Sequence, residues 1–505
     1  MRATARALSD ARWTIVAFAI AGFAITFLQS VAFFRLAGHT FAERAAFGYS
    51  LLLDATADAP LFPPPVHPET VAGYLELRAF APLAILFAAW ALVSAERSAT
   101  ALIIPRSVAF AIGSLVAAAA ACAGVMAGVA SGGETVDAAG LVQAGLLLVA
   151  LASACYAICM CAGPMAAPLL LTLFFLNSLS RVFVQLDAVR WLSPFRYYDL
   201  STPLPRDGHF DAGGFAVLVA IAGVGTGVAY AISSRSRREA ALIRRSDYEP
   251  SHASLLTVPV LRDLYPHRMV IAAWCIAFAL LGIALAAATR TTMQDLLALP
   301  RGLPGLPQYI FVFGAQVLGQ TWFDVMLLMF VALTFTFVMR WADDDSSGRL
   351  EATLSAPYSR SAVVLERIAA LAVAVAILAA VSGIAVALTA RASDLAVDAA
   401  RIAGACLVLA LFGVLLGAVG VLFASAAPRA AGAFFGAIVF AAYLADQIGG
   451  ALRLPGWLQT VSPFRLAGAP LANGLDPRTL AVLIALIVAG IGSSILVMQQ
   501  RDVGR

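Results

Sequence analysis

One run of ionisable residues stands out, 339–370, MRWADDDSSGRLEATLSAPYSRSAVVLERIAA. It places Asp343, Asp344 and Asp345 ahead of Ser346, Ser347 and Gly348, then Leu350–Glu351, Pro357, Ser359 and Arg360. Carboxylates and hydroxyls in this order offer N-caps and favourable charge to a helix that starts near Gly348. Leu350 and Leu354 lie one turn apart and give that helix an apolar side. Pro357 ends it, and Arg360 and Arg367 border the apolar run that follows. The pattern describes either a solvated loop or a short amphipathic helix on which a soluble partner docks and delivers force.

Other chemistries are less well supplied. The five histidines, His39, His67, His209, His252 and His267, are scattered over polar segments, which disfavours a metal centre or an enzyme that needs clustered acids and histidines. The six cysteines lie in apolar runs; Cys155 and Cys159 share a helix face with Cys161 nearby, a pattern of small packing residues more than of a redox or metal site. The chain contains no lysine, so all 33 basic residues are arginine. A P-loop places a Lys on the β- and γ-phosphates, so an ATP-driven process here needs ATP and Mg on another subunit; no cofactor is expected in this chain. The net charge of +4 does not suggest a nucleic-acid partner.

A further set of polar groups sits inside apolar runs, where they are costly and tend to face an interior or a cavity. These are Gln29 and Ser30, Asn177 and Arg181, and Tyr443, Asp446 and Gln447. Phe23, Phe27, Phe33 and Phe34 add aromatic surface beside the first pair. Together they outline a lightly polar path suited to hydrophobic or amphiphilic cargo. Counted back from Trp191 and Trp457, Asn177 matches Tyr443 and Arg181 matches Gln447.

The elements that must position these residues follow from composition. Of 505 residues, 61% are hydrophobic and 12% charged, too little polar material to cover a soluble globule of this size. Several apolar runs exceed the ~18 residues that cross a bilayer as helix. The expected fold is an all-α polytopic membrane protein of about twelve spans. In the first half they are 13–36, 79–95, 107–130, 138–161, 165–187 and 212–233; in the second, 269–289, 321–340, 362–390, 398–425, 430–450 and 478–497. The second span of each half is short, and Pro82 and Asp324 lie within or at the edge of these spans. Arginine is dense in the short segments on one side, including seven residues from Arg235 to Arg268. The positive-inside rule then puts both termini in the cytoplasm of a multi-pass plasma-membrane protein. No cleavable signal peptide is expected.

The even number of spans per half makes the halves parallel repeats: 1–234, a cytoplasmic linker 235–267 with room for an interfacial helix, and 268–505. One phrase occurs in both. Ser193-Pro194-Phe195-Arg196 and Ser462-Pro463-Phe464-Arg465 stand 269 residues apart, each after a fifth apolar run. Ser then Pro is a helix start, Ser as N-cap and Pro at N1, so each copy is expected to open a short helix at the outer surface. It could seal the bundle or take part in release of cargo.

The segment DDDSSGRLEATLSAPYSR resembles the cytoplasmic loop of ABC transporter type-2 permeases: acidic residues, Gly, a Leu-Glu pair and Pro-x-Ser-Arg. The resemblance implies that Asp343, Asp344, Asp345, Gly348, Leu350, Glu351, Pro357, Ser359 and Arg360 belong to a coupling segment that contacts an ATP-binding subunit. The corresponding loop of the first half keeps Glu96–Arg97, Pro105 and Arg106; Ser98 or Ala99 stands for the glycine and the Leu-Glu pair is missing. The fused two-half layout is similar to that of actinobacterial exporters of polyketide antibiotics and other drugs. That likeness implies one chain with two copies of a soluble ATPase, moving hydrophobic or amphiphilic compounds outward. A proton-coupled secondary transporter of the major-facilitator kind is the alternative, but its Gly and Asp-Arg signature is absent and few carboxylates lie deep in the spans.

Overall fold

The computed structural model describes residues 2–38, 40–58, 63, 65–96, 103–181, 183–242, 258–265, 268–298, 317–346, 348–355, 358–395, 397–449, 455–456 and 462–501. Among them there is helix and no strand, and ten helical segments are long and apolar enough to span a membrane. Lipid offers the backbone no hydrogen-bond partner, so runs of Ala, Leu, Val and Gly in this setting must close their own bonds as helix. Local side chains mark where the spans begin. Asp137, Ser359, Asp398 and Asp476 each accept hydrogen bonds from amides in the first turn of the helix that follows. The chain is an all-α polytopic membrane protein. It divides into two compact units, Met1–Glu249 with Ile448–Leu454, and Pro250–Gln447 with Pro455–Arg505.

In the first unit the helices are α1 (Arg2–Leu36), α2 (Phe41–Asp58), α3 (Val71–Leu75), α4 (Ala81–Glu96), α5 (Ile103–Ser131), α6 (Ala138–Ala162), α7 (Ala166–Leu179), α8 (Pro194–Asp199) and α9 (Ala212–Leu242). A π-helical turn, Glu76–Phe80, joins α3 to α4. The main packing pairs are α1 with α5, α4 with α6, α5 with α6, and α6 with α9. The α1–α5 contact is close because α5 presents glycine: a Cβ on Gly124 would lie 2.3 Å from Thr26 Oγ1 and 2.5 Å from the Phe23 carbonyl. Small residues one turn apart are how membrane helices approach without a hydrophobic drive from water.

The second unit holds α10 (Pro259–Leu264), α11 (Arg268–Ala298), α12 (Asp324–Ser346), α13 (Arg349–Leu354), α14 (Arg360–Ala392), α15 (Ala399–Ala426), α16 (Ala431–Ile448), α17 (Pro463–Ala467), α18 (Pro470–Asn473) and α19 (Pro477–Gln500). Its pairs are α11 with α14, α12 with α15, α14 with α15, and α15 with α19. That is the same order of packing, first span on third, second on fourth, third on fourth, fourth on sixth. A π-helical turn, Gly319–Phe323, again precedes the main helix of the second span. Two copies of one packing scheme account for the doubled landmarks.

The span lengths differ from expectation at two places in each half. The second spans run Val71–Ala95 and Thr321–Asp345, full length once the π turn is included. The fifth are the short ones, Ala166–Leu179 and Ala431–Gln447, and the 14 residues of α7 reach only about 21 Å. The apolar run 165–187 does not continue as helix because the chain turns back after Leu179 through 3-10 turns at Val184–Leu186 and Arg190–Leu192, which lay α8 against α7.

Candidate functional site

The acidic run lies where α12 ends, not in the helix after it. Asp343, Asp344 and Asp345 occupy the last turns of α12, and Gly348, in the left-handed region at φ +73°, turns the chain into α13. They therefore do not cap α13; they hold arginines. Arg349 Nη2 donates to Asp343 Oδ2 at 2.8 Å and its Nε lies 3.3 Å from Asp344 Oδ1. Arg367, on α14 and buried, reaches Asp344 Oδ2 at 3.4 Å and the Trp341 carbonyl at 3.5 Å. Arg501, just past α19, bonds Asp345 Oδ2 at 2.8 Å and donates to the Ser425 carbonyl at the end of α15. Carboxylates at a helix C-terminus oppose the macrodipole, and these three guanidinium groups offset that.

The same end of the unit is tied at two further points. Arg360 Nη1 donates to the carbonyls of Met498, Gln499 and Arg501 at 3.3, 2.9 and 2.6 Å, satisfying the open end of α19. On α10, Arg262 forms a two-bond pair with Glu366 of α14, and Tyr358 donates to the same carboxylate at 2.6 Å. Asp263 lies 3.7 Å from Arg340; burial pushes its carboxyl above the usual range, and the Arg340 charge works against that. So α10, α12, α13, α14 and α19 end in one ionic cluster. Within α13, Leu350 is buried and Glu351 is exposed. The helix thus has the two sides that its sequence implies, with an acidic side chain on the free one. Pro357 lies outside the described residues.

In the first half, Arg97 also lies outside the described residues, and nothing is described of the Glu96 side chain at the end of α4. Pro105 and Arg106 fall in the first turn of α5 rather than ahead of it.

Asn177 and Arg181 line a cavity of about 40 Å³ between the ends of α4 and α7 and the segment 195–202. Asn177 Nδ2 donates to Asp199 Oδ2 at 2.6 Å, and Arg181 pairs with the same carboxylate atom. The Arg181 Nη1 atom is buried with no partner among the described residues. Glu76, on the π turn, accepts the Leu204 amide through Oε2 at 3.3 Å. Glu76, Tyr198 and Asp199 escape a reading by sequence. Glu76 falls outside a second span taken to start at residue 79, and Asp199 is one polar residue among several after the Ser-Pro phrase. Their spacing to Arg181 exists only in the fold.

The remaining path candidates disperse. Gln29 is buried and accepts from Tyr74 Oη at 2.7 Å, a tie between α1 and α3. Phe33 is fully buried among Phe34, Phe47 and Tyr74, so it is packing rather than path lining. Phe23 and Phe27 stack on one another at 5.8 Å, Phe23 on an exposed part of α1, and neither lines the cavity.

Both Ser-Pro phrases start helices. Ser193 is the N-cap of α8 and accepts the Phe195 amide; Ser462 stands at the N-cap of α17, and its hydroxyl donates to the Ala442 carbonyl. Their phenylalanines dock on the fifth helix of the same half, Phe195 on Phe174 at 5.1 Å and Phe464 on Tyr443 at 5.6 Å. Arg196 lies over the Trp191 ring at 4.8 Å. These contacts correct the register. Tyr443 corresponds to Phe174, and Asn177 to Asp446, because the second copy carries extra residues between Trp457 and Ser462. Asp446 then faces the charge of Arg465, the reverse of Arg181 against Asp199. Gln447 is exposed.

In the first unit, His67 links two loops. Its Nδ1 lies 3.0 Å from Glu69 Oε1 and its Nε2 3.3 Å from Asp207 Oδ2. The Glu69 hydrogen bond and charge raise its pKa above 6.5, with a smaller push from Asp207. A raised pKa means that this link is fully present below the unfolded value and fades as pH rises through the folded one. The imidazole should titrate above 6.5 by NMR, and Glu69→Gln should bring the midpoint back toward 6.5; an unchanged midpoint would remove Glu69 as the cause.

Among the described residues no group of three or more His, Cys, Asp or Glu could hold a metal ion. Residues 263–497 match the family model described as the C-terminal domain of the multidrug efflux system permease Rv1217c. The match covers slightly less than half of the chain, from the end of α10 to near the end of α19, and includes the three aspartates, Arg349, Arg360, Glu366 and Arg367 of the ionic cluster but not Arg262 or Arg501. No curated protein matches the chain.

Proposed function

We infer that this chain is a transport permease of the multidrug efflux kind, the membrane subunit of an ATP-driven ABC exporter. Two copies of a soluble ATP-binding subunit would supply ATP and Mg, and the cargo would be hydrophobic or amphiphilic compounds carried out of the cytoplasm or the inner leaflet. The observation that carries this reading is α13: a two-sided helix with Glu351 free, braced by Asp343 and Asp344 through Arg349 to α12 and by Asp344 through Arg367 to α14. A push on such a helix is passed to two spans at once, because Arg349 meets the same Asp344 that pairs with the buried Arg367, and packed side chains resist gradual deformation. The similarity of residues 263–497 to an efflux permease supports the same reading. On it, both termini and the ionic cluster are cytoplasmic, and the Ser-Pro helices lie outside.

The experiment is co-expression with the soluble ATPase of a neighbouring reading frame, followed by purification and hydrolysis assays in lipid against a hydrolysis-dead ATPase. The expected result is a complex of one permease with two ATPases. Glu351→Ala should cut cargo-stimulated hydrolysis about tenfold, the size of a typical coupling free energy, with membrane insertion unchanged. Purification of the chain alone with transport under a proton gradient would overturn the ATP-driven reading.

A further inference from the structure

The two carboxylates of the first-unit cavity are in different electrostatic states. Asp199 is satisfied within the wall, because Arg181 and Asn177 both bond its Oδ2. Glu76 has the Leu204 amide on Oε2 and no ion pair among the described residues. A carboxylate removed from bulk water and left without a cation is costly, so it takes up a proton or a ligand cation. The rest of the lining separates these two outcomes. Phe174, Phe195 and Tyr198 surround the space and Ser201 and Thr202 add hydroxyls. A proton needs none of this, whereas an acid beside aromatic faces is the surrounding that favours an organic ammonium. Hard divalent ions favour several carboxylates at short range, and among the described residues no group of three or more His, Cys, Asp or Glu could hold one. The volume, about 40 Å³, admits a head group and not a whole drug-sized molecule.

We propose that this cavity binds the protonated amine of an amphiphilic compound, with Glu76 as its counter-ion and the aromatic side chains around it. The proposal rests on the permease reading and deepens it: the cargo, or part of its range, is cationic. The apolar body of such a compound would extend past Ala81, Ala84 and Ile85, the apolar wall of the same cavity. The π turn gives Glu76 its place. By widening the helix for one turn, it sets this residue at the junction of α3 and α4, and π turns of this kind recur at functional positions.

The test uses the full chain in lipid nanodiscs. The probes are a dansyl-tagged alkylammonium and the neutral amide made by acetylating its amine, followed by fluorescence anisotropy at pH 7. The ammonium should bind at least about tenfold more tightly, a difference of about 1.4 kcal/mol. Glu76→Gln should bring the two probes within about twofold of each other, and Glu76→Asp should keep the preference. A second measurement needs no variant. The ammonium probe, and not the amide, should protect Glu76 of the wild-type chain from labelling by a hydrophobic carbodiimide, read by mass spectrometry. Equal affinity for both probes, a preference that survives Glu76→Gln, or labelling unaffected by the ammonium would each overturn the proposal. ATP-driven export is scored separately. Ammonium binding by a chain that forms no complex with any ATPase and transports under a proton gradient would sink the exporter reading and keep the site; a stable ATPase complex that exports neutral compounds with no charge preference would do the reverse.

Discussion

Asp344→Ala is expected to destabilise the second unit by about 3 kcal/mol, whereas Asp343→Ala should cost less than about 1 kcal/mol. The two residues are neighbours, and both pair with Arg349. What separates them is Arg367. Its guanidinium is buried, and Asp344 is the carboxylate that reaches it. Removing one partner of a buried pair leaves a charge in low dielectric that keeps the Trp341 carbonyl and the more distant charges of Asp263 and Asp345 but loses the one carboxylate in contact with it. Asp343 meets Arg349 with both side chains about two-thirds exposed, and solvent screening takes most of that pair's value. Denaturation in mixed micelles, with the two variants side by side, reads the difference. Equal losses would mean that Arg367 draws its compensation elsewhere. On the exporter reading, Asp344→Ala should also reduce ATPase coupling more than its effect on folding explains, since it loosens α13 and α14 together.

The same region shows what local sequence chemistry conveys and what it does not. Ser193-Pro194 and Ser462-Pro463 were legible as helix starts because capping involves residues only a few positions apart. The apolar side of α13 was legible for the same reason, since Leu350 and Leu354 stand one turn apart. Three aspartates before a glycine also look like caps for the next helix, because acids at a helix C-terminus oppose its dipole. The chain places them at the end of α12 all the same. The compensation comes from Arg367 and Arg501, the latter 156 residues away. No local rule contains that term. The short α7 has a similar origin: residues 180–187 are apolar enough to continue a span, and the contacts that turn the chain back, Phe195 on Phe174 and Asp199 on Arg181, come from the segment after it. Glu76 was missed because a π turn has no sequence signature of its own.

The register between the two fifth helices leads to the last prediction. If Arg181 corresponded to Gln447, the two positions would have similar roles and similar sensitivity. The structure instead gives Arg181 an ion pair in which both side chains are less than one-fifth exposed, while Gln447 lies on an exposed face. Arg181→Ala should therefore cost about 3 kcal/mol, because it strands Asp199 with Asn177 as its remaining side-chain donor. Asp199→Ala should cost a similar amount by stranding Arg181, whose Nη1 already lacks a partner among the described residues. The double variant removes both stranded charges at once. It should be less damaging than the sum of the single changes by about 2 kcal/mol, the coupling expected of two residues in direct contact. Gln447→Ala should stay within about 0.5 kcal/mol of wild type, as surface changes do. Additive losses for Arg181 and Asp199 would remove the pair from the role of holding α8 on α7. A large loss at Gln447 would restore the alignment counted from the tryptophans. The outcome described here would identify the Ser-Pro helix and its fifth helix in the first half as one docked unit held by Arg181 and Asp199; in the second half the docking contact is Phe464 on Tyr443, with Asp446 under the charge of Arg465.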